Sequence, residues 1–190
     1  MFDNDPQRIF IAEIQRSFDK WSIAGFFNPE KSGIYDIALP LERIGLQKGT
    51  TYLLYDFWDE KFLGEIKDSI HLSVLPETVK LLSIHEKKDY PWFISTSRHV
   101  MQGALELDSV MFDPQKMQLS GISKGANGST HDVIVYIPEP YYWSPSMAKL
   151  YDDYEGYTVK MVDNKILRLR IHFDASGTLR WKVSFRKNPE

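Results

Sequence analysis

From Tyr35 onward the chain breaks into short apolar runs, each closed within about ten residues by Gly, Pro, Asn or Asp. Tyr35, Ile37 and Leu39 alternate with Asp36 and Ala38. Ile70, Leu72 and Val74 alternate with His71 and Ser73 until Pro76 stops the run. A period of two marks strands with one face buried. Thr51 to Phe57, Lys61 to Ile66, Val79 to His85, Phe93 to Val100, Ala104 to Phe112, Lys116 to Ser123 and His131 to Ile137 extend the series. This spacing argues for an all-β chain, an antiparallel β-sandwich or a barrel, and leaves no room for alternating strands and helices.

Two segments depart from that rhythm. Pro6 to Lys20 places Ile9, Phe10, Ile14 and Phe18 at helical spacing, with Asp5 to cap and Pro6 in the first turn. Residues 1–20 are therefore expected to form a short N-terminal helix, and residues 21–190 a single β-sandwich domain. Near the other end, Leu167, Leu169, Ile171 and Phe173 face one way, as do Leu179, Trp181, Val183 and Phe185. Asp174 to Gly177 between them predicts a hairpin. Its opposite face carries Arg168, Arg170, His172, Arg180, Lys182 and Arg186. That basic face is read as solvated, or as paired with Asp152, Asp153 and Glu155.

The 190 residues are enough for a full core without staples, and the chain has no cysteine for disulfide or thiolate chemistry. A net charge of −3 gives no footprint for nucleic acid or an anionic membrane. No apolar run reaches the ~20 residues of a membrane span, and no signal peptide is visible at the start. The compartment stays open, cytoplasmic being the expectation for a complete chain. There is no phosphate-binding loop, dinucleotide fingerprint or metal-ligand spacing, so no cofactor and no metal are expected.

Few residues invite a chemical reading. Asp56, Asp59 and Glu60 cluster in YDFWDEKF. Paired carboxylates hydrolyse glycosides when they face each other across a cleft, whereas neighbours around one turn more often cap it. Arg98 and His99 would point to opposite faces of an extended strand, with His99 the buried member and ligand contact its alternative. Tyr141, Tyr142 and Trp143, with Trp92, form the one aromatic group in a Pro-flanked, loop-like setting, able to stack on sugar rings or to cover the end of a sandwich.

Several motifs occur in a fixed order: Phe27-Asn28, Ile44-Gly45-Leu46, Tyr52 to Trp58, Phe62-Leu63-Gly64, Ser95 to Gly103 (STSRH followed by QG), Asp108 to Asp113, and Leu119 to Gly121. In that order they resemble the C-terminal β-sandwich domain of α-galactosidase-like (melibiase-type) glycoside hydrolases. The likeness covers about Trp21 to Pro138. In such enzymes a (β/α)8 barrel precedes this domain and holds both catalytic carboxylates. A barrel of that kind needs roughly 250 residues. The resemblance therefore implies a non-catalytic accessory domain, with a catalytic barrel or a second copy of itself as partner, and carries over no catalytic residue. A stand-alone carbohydrate-binding module and an independent glycosidase built on Asp56, Glu60 or His99 are the alternatives.

Overall fold

The computed structural model describes residues 7–146 and 156–188. Its strands are β1 (Ile9–Gln15), β2 (Lys20–Asn28), β3 (Tyr35–Pro40), β4 (Tyr52–Asp56), β5 (Lys61–Ile66), β6 (Ser69–Val74), β7 (Thr78–Glu86) and β8 (Trp92–Thr96). They continue with β9 (Leu107–Asp113), β10 (Gln118–Gly125), β11 (Thr130–Tyr136), β12 (Tyr141–Tyr142), β13 (Tyr157–Met161), β14 (Ile166–His172), β15 (Gly177–Ser184) and β16 (Arg186–Lys187). The fold is all-β and antiparallel, with short 3-10 turns at Leu41–Ile44 and Met101–Gly103. The chain divides into two compact units, one from residues 1–14 and 20–87, the other from residues 15–19 and 88–190.

In the first unit a sheet ordered β1-β2-β7-β4-β5 packs on the pair β3-β6. Ala24 and Phe26 on β2, Leu82 and Ile84 on β7, and Tyr52 and Leu54 on β4 meet Ile37, Leu39, Ile70 and Val74 from the pair. The opposite side of the same three strands carries Trp21, Ile23, Leu53, Tyr55, Ser83 and His85, which are buried as well. Burial on both faces is why Tyr52 to Asp56 reads as a continuous run while β3 and β6 alternate.

The N-terminal helix expected over Pro6 to Lys20 is not formed. Ile9 to Gln15 is an edge strand beside β2, and of its seven residues only Ile14 is buried. A lone helix of this length is marginal in water. Pairing with β2 satisfies the backbone instead, and lets Phe10 meet Phe27 edge to face at 5.3 Å.

The second unit is a sandwich of β13-β14-β11-β8 and β15-β10-β9, with β12 paired to β16. Phe93, Val133, Val135, Leu167, Leu169 and Ile171 fill the core from the first sheet, and Leu107, Val110, Leu119, Trp181 and Val183 from the second. Gly121 lies under the Trp181 indole. A Cβ there would collide with that ring and stand 2.8 Å from the Ser109 carbonyl oxygen.

The hairpin expected at Asp174 to Gly177 is replaced by a crossing between sheets. β14 pairs with β11 and β13, whereas β15 pairs with β10. The alternation in both strands was legible, but their two apolar rows face each other through the core rather than lying side by side. The basic row also differs. Arg170 makes a bidentate pair with Asp132, at 2.8 and 3.0 Å, across the β11–β14 register, and Arg168 stands 3.6 Å from the same carboxylate. The acids Asp152, Asp153 and Glu155 lie outside the described residues.

Candidate functional site

Strand β8 ends at Thr96, and the chain turns sharply before β9. Met101, Gln102 and Gly103 follow one another at φ of 60°, 38° and 125°. Only glycine adopts such values freely, and each of the other two costs roughly 1–2 kcal/mol. The turn is held by its neighbours. Ser95 Oγ donates to Gln102 Oε1 at 2.7 Å, and the Asp132 amide donates to Ser97 Oγ at 2.8 Å. The Lys124 amide donates to the Glu106 carbonyl at 2.8 Å, and Arg16 donates to the Ala104 and Leu107 carbonyls at 2.5 and 3.3 Å.

Two polar groups in this turn are buried with bonding capacity left over. Gln102 is fully buried, and its Nε2 has no hydrogen-bond partner. Glu106 is 6% exposed; one carboxyl oxygen takes the Thr96 hydroxyl, and Oε2 has no partner. Burial pushes the Glu106 carboxyl above its ordinary pKa, against the Thr96 hydroxyl and nearby backbone amides that pull it down. His131 lies close by on the inner face of β11, both ring nitrogens unpartnered, its ring 5.5 Å from that of Phe173. Burial first, and the charge of Arg98 second, push its pKa down to about 4, against Asp132.

In front of the turn is a recess of about 380 Å³ lined by Arg98, His99, Val100, Leu105, Glu106 and Lys124. Arg98 donates to the Thr130 carbonyl at 3.4 Å and pairs with no carboxylate among the described residues. Lys124 is paired with Asp108. Val100 and Leu105 are exposed and form the apolar wall. A larger hollow of about 480 Å³ lies on β9, β10 and β15, around Met111, Ser120, Arg180 and Lys182. None of its lining residues holds a buried polar atom without a partner. The smaller recess is therefore the candidate site.

The residues singled out by sequence fall in several places. Arg98 and His99 both line the recess and both are exposed, because β8 stops before them; the buried position expected for His99 is corrected. Asp56 belongs to the first unit and is fully buried. Its Oδ1 accepts the Trp58 amide at 3.1 Å and the Asp59 amide at 3.4 Å, and Lys80 Nζ stands 2.8 Å from Oδ2. Burial alone would lower the Lys80 pKa, but Asp56 and Asp59 outweigh it and hold it above its ordinary value.

The aromatic group is not an open platform. Tyr141, Trp143 and Trp92 are buried, and Tyr142 is half-buried. Pairing of β12 with β16 turns Tyr141-Tyr142 into a strand. Phe112 meets Tyr141 edge to face at 5.5 Å, and Lys187 lies 4.9 Å above its ring. Trp92 donates its indole N–H to Asp19 at 2.6 Å and carries Lys88 4.5 Å over its ring.

Sequence reasoning passed over Thr96, Gln102 and Glu106 as individuals. No local signal marked Glu106: Leu105-Glu106-Leu107-Asp108 alternates apolar and acidic as a half-exposed strand does, a pattern that would put Glu106 on the solvent face. Among the described residues no group of three His, Asp or Glu could hold a metal ion, and no helix is long and apolar enough to cross a membrane. Fold and site together define a class, an all-β antiparallel sandwich protein with a polar recess at one strand end. In comparisons with known proteins, the chain matched no family model, no curated protein and no solved structure.

Proposed function

We propose that the chain is a non-catalytic accessory β-sandwich module of a carbohydrate-active, glycoside-hydrolase-like protein, and that it acts by packing against a catalytic (β/α)8 barrel. The observation that carries this reading is the structural duty of the motif residues. Asn28 donates to the Gly33 and Val74 carbonyls at 3.0 and 2.9 Å and so ties off the end of β2. Asp56 caps the β4–β5 turn. Gly64 sits at φ 114°. Asp113 accepts the Gln115 and Lys116 amides at 2.9 and 3.1 Å, and Gly121 makes room for Trp181. Motifs made of caps, tight turns and close contacts specify a frame rather than a reaction.

The first unit also offers apolar side chains for docking. Phe10 and Phe27 are 49% and 40% exposed, and Trp58 and Leu63 55% and 43%. A barrel surface is the occupant favoured by the motif order, and a second copy of the chain is the competing one. The test begins with the coding sequence on both sides of these 190 residues, followed by expression of the parent with and without them. Loss of the module is expected to lower the melting temperature and soluble yield of the barrel. A parent with no barrel, or hydrolysis of nitrophenyl glycosides by these residues alone, overturns the proposal.

A further inference from the structure

We infer that the recess beside the Arg98–Glu106 turn binds a small polyhydroxylated carboxylate, a sugar acid, with its carboxylate on Arg98 and Lys124 and one hydroxyl on the free Glu106 oxygen. Four observations converge on it. Arg98 brings a guanidinium that no described carboxylate neutralises, and a guanidinium favours the planar, two-pronged geometry of a carboxylate. Besides Glu106, the charges are Arg98 and Lys124 against Asp108, a surplus of one positive charge that a single carboxylate matches better than the two charges of a phosphate.

Glu106 lines the recess, and its buried Oε2 has unused bonding capacity, as expected where a ligand completes the bonding. Burial keeps that carboxyl protonated to higher pH than usual, so it offers a donor as well as an acceptor to a hydroxyl. Val100 and Leu105 give the C–H face of a ring an apolar surface, which an inorganic anion would not use. The backbone is strained at Met101 and Gln102, in the turn that carries Glu106 to Thr96, a cost normally retained where the geometry serves a function. The choice of a sugar acid among carboxylates rests on the accessory role proposed above; the carboxylate itself does not.

The experiment is an amide NMR titration of the chain with galacturonate and glucuronate, their neutral parents galactose and glucose, and acetate and inorganic phosphate. At least one uronate is expected to bind about tenfold more tightly than its neutral parent and than either simple anion, moving the amides from Arg98 to Glu106 and that of Lys124. Arg98→Gln and Lys124→Gln change exposed side chains and should fold, as the melting temperature will verify. Arg98→Gln should weaken uronate about tenfold, and Lys124→Gln less. Glu106→Gln, a neutral isostere, should retain binding within about threefold.

Equal binding of neutral sugars, acetate or phosphate as tight as any uronate, shifts confined to other residues, or no shift at millimolar ligand would each overturn the site. The two proposals fail separately. Loss of the barrel reading comes from the parent's architecture and stability, and loss of the sugar-acid site from this titration.

Discussion

Asp56 and Glu106 are two carboxylic acids buried at strand ends, one in each unit, and their surroundings are opposite. Asp56 has two backbone amides on one oxygen and an ammonium beside the other. Glu106 has one hydroxyl and nearby backbone amides, and its Oε2 makes no hydrogen bond. The first acid is a structural keystone whose charge is matched from several sides. The second sits where burial opposes its charge and the backbone is strained around it. Surrounded burial marks a frame; unmatched burial beside an open recess marks a place for something else to bind.

The contrast breaks most readily at Asp56. Asp56→Ala should destabilise by about 3–5 kcal/mol in urea titration, because it orphans two amides and strips Lys80 of its deeper partner. Asp56→Asn keeps the Oδ1 cap and should lose roughly half as much. A loss below about 1 kcal/mol for Asp56→Ala would dissolve the contrast.

His131 gives the next largest effect, on the side of the second unit. The folded state holds it neutral, while the unfolded chain takes up a proton near pH 6.5. Its contribution is thus fully present above pH 6.5 and is lost as pH falls towards about 4, by about 3 kcal/mol in all. His131→Leu should flatten that limb of the stability–pH curve, and an unchanged limb would show the imidazole to be hydrated.

Met101→Gly tests the strain. It should stabilise by about 0.5–1 kcal/mol, since glycine accepts the left-handed conformation at less cost than methionine. The smallest effect belongs to Glu106→Gln. The folded carboxyl has the higher pKa, so the native acid costs nothing below the unfolded value and weakens the fold as pH rises past it. The variant should therefore match the parent in acid and become the more stable at neutral to alkaline pH, read as a difference in melting temperature.

How much of this was legible depended on the range of the interaction. The alternation at Ile37 and Leu39, and at Ile70 and Val74, placed β3 and β6 correctly, because a half-buried strand writes its period into its own residues. Residues 9–15 failed that way of reading. Ile9, Phe10 and Ile14 fit a helical stripe, and only the presence of β2 alongside decides for a strand. The same holds for β14 and β15, whose faces were read correctly and whose partners were not. At the site, Arg98 and His99 stood out by residue type. Glu106 draws its meaning from Thr96 across the turn and from the burial around it, neither of which a local pattern records.

The crossing from β14 to β15 sets a timetable for the chain as it is made. Strand β10 finds its partner β15 across a gap as wide as the 66 residues between Gln118 and Ser184. The first unit draws on nothing beyond residue 87, so it has all its strands before the second unit has its own. The second combines residues 15–19 with a strand, Gly177–Ser184, that is made long after them. Until then β10 exposes an unpaired edge, the kind of surface that recruits neighbouring chains. Deleting β15 would prolong that exposure indefinitely and turn a slow step into an aggregation hazard.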